Sequence, residues 1–148
     1  VESLGALDLW AIAIKPGKPF AHGRINRSDG SWAHFIGLPG NPVSSYVTFA
    51  VLVRPLVRKL QGAQRWTVTP MSLQANFDWP KPDSRREFLR VRRNASGGLD
   101  LYPNQGSGVL TSLAWADGFV DNPPGRSIQN GDAVRFISMA QLFGAESH

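Results

Sequence analysis

Two short stretches of this 148-residue sequence set cationic or hydroxyl side chains among glycines and prolines, as an anion site requires. In "AIAIKPGKPF", Lys15 and Lys18 stand just past an apolar run, and Pro16, Gly17 and Pro19 restrict the loop that carries them. Ammonium groups bind phosphate or another oxyanion as point charges, and open α/β sheets bind ligands beyond the carboxyl ends of their strands. In "GLPGNPVSS", Asn41 suits a helix cap and Pro42 the first helical position, where a missing N–H costs nothing. The N–H groups of Val43, Ser44 and Ser45, the Ser44 hydroxyl and the positive end of the helix dipole together suit an anion. The stretch lacks the lysine of a GxxxxGK[ST] loop, so it does not read as a nucleoside-triphosphate cradle. Singly, the two stretches read equally well as a solvated lysine turn and a capped structural turn; their occurrence at two strand ends is what suggests one pocket.

A third stretch, "DSRREFLRVRRN", is strongly basic. Strand periodicity places Arg86, Phe88, Arg90 and Arg92 on one face and Glu87, Leu89, Val91 and Arg93 on the other. This is either a phosphate-binding face with one aromatic ring or the solvated outer face of a hairpin. His22 and His34 have no partners at metal-ligand spacing, and no Ser-His-Asp order or carboxylate pair stands out. Anion sites without a nucleophile point to electrostatic positioning of a reactive ligand.

The composition agrees. Sixteen basic against 11 acidic residues give a net charge of +5, which favours anionic partners: phosphorylated metabolites, oxyanions, nucleic acid or an anionic membrane surface. The absence of cysteine removes thiolate nucleophiles, disulfides and Cys-ligated zinc from consideration. The apolar run from Tyr46 to Val53 is far shorter than the ~20 residues of a membrane span, and no signal peptide is visible, so we expect a soluble, cytoplasmic protein.

The elements that would position these residues fall into two textures. Residues 1–62 alternate strand, loop and helix in the manner of an α/β layer, with "LDLWAIAI" as a strand buried on both faces. Asp29-Gly30 marks a hairpin turn between "PFAHGRI" and "WAHFIG". A helix is expected from about Pro42 to Leu60, buried on most sides and kinked at Pro55. After the linker "QGAQRW", residues 63–148 form short alternating segments broken by "WPKPD", "NASGG", "NPPG" and "QNGD", the spacing of a small β-barrel or sandwich. One short helix, from about Val109 to Trp115 and capped by Ser107, interrupts them. "ESLG" reads as the last turn of a helix whose body is not in the sequence, and "FGAESH" as a frayed end. The start without Met and the small size of the first half lead us to expect a missing N-terminal portion or a partner chain.

The segments "KPGKPFAHG", "FIGLPGNPVSSYVTFAVLVRPLVRKLQG", "RREFLRV", "NQGSGVLTSLAWADGFV" and "GDAVRF" follow one another in the order seen in molybdopterin molybdotransferases, the MoeA and gephyrin E-domain family. The chain resembles that family over nearly its whole length. The resemblance implies an α/β plus all-β fold: residues 1–62 as the C-terminal part of a MogA-like α/β molybdopterin-binding domain, and residues 63–148 as a β-barrel-like C-terminal domain. It implies insertion of molybdate into adenylylated molybdopterin with release of AMP, dependence on a divalent cation such as Mg2+, and a homodimer. Molybdopterin adenylyltransferase is a possible further partner; no membrane is expected, and nucleic acid is the less favoured ligand. By motif, Lys15 and Lys18 match the lysines near the molybdate and pterin phosphate, and Pro39, Asn41, Pro42 and Ser44 match the "LPGNPVS" loop. Arg86 matches an arginine of a "GRxxF"-like segment, with Arg85 where glycine is common, and Ser107 matches the serine of "QGS". The family's acidic cation ligands would lie upstream of Val1, so this chain alone is expected to be catalytically silent. The rival reading is a non-catalytic binding module: a basic β-barrel on nucleic acid, or a gephyrin-like docking scaffold.

Overall fold

The computed structural model describes Gly5, residues 7–10, residues 13–17 and residues 20–144. The helical turn expected at "ESLG" and the frayed "FGAESH" end lie mostly outside those residues, and Lys18 wholly so. Strand β1 (Leu7–Trp10) leads to the two-residue β2 (Ile14–Lys15). Then β3 (Phe20–Asn26) and β4 (Trp32–Gly37) form the expected hairpin. In its turn the Arg27 N–H donates to the Ser31 carbonyl at 2.8 Å, and Gly30 takes a φ of +87°, which a side chain would oppose. Strands β1, β3 and β4 make a wholly antiparallel three-stranded sheet, not the parallel layer that an α/β domain leads one to expect.

The long helix spans the expected residues in three pieces: α1 (Pro42–Thr48), a π-helical turn (Phe49–Val53) and α2 (Arg54–Leu60). Pro55 has no N–H to give, and its ring would crowd the carbonyl of Val51 one turn earlier. The backbone widens instead, and the Arg54 N–H bonds Phe49 O, five residues back. Val43, Val47 and Ala50 are buried, whereas Phe49, Val57 and Leu60 remain exposed, so in this chain the helix is covered on one side only. Among the described residues no helix is long and apolar enough to cross a membrane.

The second sheet contains β5 (Met71–Gln74), β6 (Arg86–Arg93), β7 (Leu99–Leu101), β8 (Gly118–Asn122) and β9 (Ala133–Ser138). Its order is β2-β6-β8-β9-β5, with β7 also on β6, and every pairing is antiparallel except β2 on β6. The expected barrel does not close into a continuous ladder. Three-residue β7 meets the end of β5 through one bridge, Ala75 to Leu99, and no other pairing joins these edges among the described residues.

Each face of this sheet has its own apolar cluster. One gathers Leu89, Val91, Val120, Ile128 and Phe136; the other places Phe88 and Phe119 under Ile14, Val43, Val47 and Ala50 of the first half. Strand β6 therefore buries both faces, and its outer face is not the solvated one considered from sequence. Residues on either side of position 62 share one sheet and one cluster. Helix α3 (Thr111–Trp115) starts later than expected and has no side-chain cap, so Ser107 does not cap it. The run "AVRFISM" leaves the strand at Ser138, whose hydroxyl accepts the Ala140 N–H at 3.1 Å and starts α4 (Met139–Phe143).

Candidate functional site

A cleft of about 380 Å³ opens where the end of β2, the N-cap loop of α1, the start of β6 and the loop 105–108 meet. Four of the expected residues, Lys15, Asn41, Ser44 and Ser107, line it. Pro39 is buried and Pro42 exposed at the helix start, and neither forms the wall. Arg86 does not belong here either: it lines a separate pocket, and Arg85 and Arg90 stand in the cleft.

The parallel pairing of β2 accounts for the position of Lys15. Lys15 lies opposite Glu87, and the Arg86 N–H donates to Ala13 O at 3.0 Å. The Lys15 ammonium is then 3.4 Å from Asp83 Oδ2. Arg85 grips the same carboxylate with two side-chain bonds, Nε to Oδ1 at 3.0 Å and Nη2 to Oδ2 at 3.2 Å. Hydrogen bonds from the Arg85 side chain and N–H, then the Lys15 contact, hold the Asp83 carboxyl well below the usual carboxylate range; the same bond raises Arg85. Buried Glu87 anchors the preceding loop, its Oε1 accepting from Trp79 Nε1 at 2.9 Å and the Asp83 N–H at 3.0 Å.

Arg90 is 1% exposed and is the largest fully buried side chain. Its guanidinium donates to Ser112 Oγ at 3.2 Å, Phe88 O at 3.2 Å and Gly106 O at 3.3 Å. Burial lowers it to about 10, so it remains a cation at neutral pH, with no carboxylate pair among the described residues. Gln105 completes the staple: its Oε1 accepts the Arg90 N–H at 2.9 Å while Nε2 donates to the carbonyls of Arg90 and Tyr102. The "QGS" loop is thereby fixed to β6, with Ser107 presented to the cleft.

The opposite wall is the α1 cap. Asn41 Oδ1 accepts the Val43 N–H at 3.2 Å and Asn41 O accepts the Ser45 N–H at 2.8 Å. Two of the three N–H groups expected to serve an anion are therefore engaged, which leaves that of Ser44. The walls come close together, since a Cβ placed on Gly108 would lie 3.8 Å from Asn41 Nδ2. Lys15, Arg85 and Arg90 against Asp83 and Glu87 leave a surplus of one positive charge. The arrangement offers cations, hydroxyls and amides around a concave space, which suits holding an oxyanion or phosphate.

Sequence reasoning missed Arg85, Asp83 and Gln105, and named Arg90 only as a member of a candidate phosphate-binding face. Asp83 and Arg85 sit two apart in "DSRR", a spacing that allows a local carboxylate–guanidinium clasp, but nothing local shows that Lys15 joins it. His22 and His34 lie on the β3–β4 hairpin with Nε2 and Nδ1 3.1 Å apart. No three His, Asp or Glu side chains gather as a candidate metal site among the described residues.

Comparison with known proteins gives this arrangement a class. Residues 72–139 match the family described as MoeA C-terminal region (domain IV). The chain is 47% identical to the molybdopterin molybdenumtransferase of Haemophilus influenzae over 97% of its own length and 36% of that protein's. The Bacillus subtilis protein of that name is 31% identical over 98% of the chain and 34% of the relative. The crystal structure of the molybdopterin biosynthesis MoeA protein from Pyrococcus horikoshii superposes with a TM-score of 0.65 at 25% identity, covering 87% of this chain and 32% of that one. A molybdenum cofactor biosynthesis protein from Pyrococcus furiosus shares the fold, with a TM-score of 0.67 at 24% identity over 88% of this chain and 45% of that one. The chain belongs to the MoeA family, and it spans about a third of the length of these two curated relatives.

Proposed function

We propose that this chain is the part of a molybdopterin molybdenumtransferase whose cleft holds molybdate and the pterin phosphate while molybdate is inserted into adenylylated molybdopterin and AMP is released. The observation that carries the reading is the convergence of Lys15, Ser44 and Ser107 with Arg85 and Arg90 on one cleft. In this reading the two dithiolene thiols bind molybdenum as one molybdate oxygen leaves as water with their two protons, water cleaves the phosphoanhydride to free AMP, and the protein supplies placement and charge compensation. Lys15 leaves Asp83 for the incoming anion, while Arg85 keeps the carboxylate from following it. The Ser44 N–H and the Ser44 and Ser107 hydroxyls donate to the anion's oxygens, and Lys18 is assigned a second ammonium contact on its motif alone. Mg2+ and the adenylate are assigned to residues outside these 148, so the chain by itself binds without turnover. The longer protein acts as a cytoplasmic homodimer, and the adenylylated pterin comes from an adenylyltransferase.

Titration calorimetry with tungstate, a molybdate analogue, tests this reading. Binding competed by sulfate and weakened about 10- to 100-fold by Lys15→Ala is expected, the range a charged hydrogen bond provides. Unchanged binding in Lys15→Ala would contradict the assignment.

A further inference from the structure

A second pocket, of about 280 Å³, lies where the helix leaves the sheet around its π turn. Its floor is apolar, with Phe88, Phe119, Ile137 and Leu142, and its rim carries Arg54, Arg86, Arg135 and Asp121. Phe88 also lines the cleft described above, so its ring is a wall common to both cavities.

The charges on this rim do not balance. Asp121, 3% exposed, is the one carboxylate of the lining and faces three arginines. Arg86 pairs with it through Nε to Oδ1 at 2.6 Å and Nη2 to Oδ2, while Arg135 Nη2 is 3.7 Å away, beyond hydrogen-bond distance. Arg54 is held in place by the α4 carbonyls, donating from Nε to Leu142 O at 2.6 Å. A guanidinium has five N–H groups. Arg86 Nη1 and the Arg135 fork have no acceptor among the described residues, and both side chains are about half exposed, at 44% and 57%.

We infer that this pocket is a second ligand site, independent of the oxyanion cleft, for a small organic acid: a carboxylate joined to a short apolar chain. The carboxylate takes the unengaged donors of Arg86 and Arg135 and offsets the charge surplus, and the chain lies on Phe88, Phe119 and Ile137. An inorganic oxyanion would satisfy the arginines but leave the apolar floor wet. Such a ligand could be a free acid or the C-terminal end of a peptide; the chemistry is shared.

Two-dimensional NMR titration of the chain with hexanoate, hexanamide, acetate and N-acetyl-leucine tests the proposal. Hexanoate should move the amides of residues 86–88, 119–121 and 135–137 and bind at least about tenfold tighter than acetate, as burial of added methylenes requires. Hexanamide should not bind. Arg135→Ala, at an exposed position that leaves the core intact, should weaken hexanoate at least about tenfold while tungstate binding in the cleft stays unchanged. Tighter binding of hexanoate than of N-acetyl-leucine assigns the site to free acids, and the reverse order assigns it to a chain terminus. Equal affinities for acetate and hexanoate, or hexanoate binding unaffected by Arg135→Ala in a chain with native chemical-shift dispersion, would overturn the proposal.

Discussion

Arg90 and Asp83 organise the cleft; pattern put Arg90 on a candidate phosphate-binding face but gave no sign of Asp83. Arg90 supplies three donors to the core and the "QGS" loop, so Arg90→Met should leave Gly106 O and Phe88 O without them. A buried acceptor left without its donor costs about 1–3 kcal/mol, which a urea titration would show as a lower midpoint at unchanged slope. Asp83 gives a dependence on pH. Its folded carboxyl titrates lower than in the unfolded chain, so it favours the folded state above about pH 4, and that contribution is lost as pH falls further. Asp83→Asn should be less stable than the parent at pH 7, and the difference should narrow between about pH 4 and pH 2. Period-two reading of "RREFLRVRR" correctly grouped Arg86 with Phe88, but periodicity tells which residues share a face, not which face meets the cleft. That depends on β2 pairing with β6, a contact more than 70 positions apart in sequence.

At the scale of elements, the docking of the helix on the second sheet carries the most weight. Phe119 is 1% exposed and sits under that helix, its ring 6.2 Å from that of Tyr46. Phe119→Ala should cost about 3–5 kcal/mol and remove hydrogen-exchange protection from α1 and β2 together. The β3–β4 hairpin and the helix from Pro42 to Leu60 were legible because turn chemistry and apolar spacing are local. Pro55 announced a disruption, but its form as a π turn was not legible, since a kink and a widened turn both relieve the same clash. In "AVRFISM" a short apolar run does not by itself separate strand from helix, and the Ser138 cap decides where the strand ends.

At the scale of the whole molecule, the change of texture near residue 62 suggested two units, yet β2 belongs to the second sheet and the cluster beneath the helix draws on both halves. Near-ultraviolet and far-ultraviolet circular dichroism should therefore report one coincident unfolding transition between α1 and the second sheet, where separate units would give two. The cleft itself exists through this joining, because Lys15, Asn41 and Ser44 come from the first half and Arg85, Arg90 and Ser107 from the second. The two proline-stiffened loops were visible in sequence as anion-suited, while the carboxylate clasp and the buried arginine behind them needed tertiary placement. The most direct measurement is a crystal of the chain soaked with tungstate and read by anomalous scattering. The account predicts tungsten in the cleft within hydrogen-bond reach of Lys15 and Ser107, lost in Lys15→Ala. Density confined to Arg86 and Arg135, or no peak in the cleft at a concentration that saturates binding in solution, would contradict it.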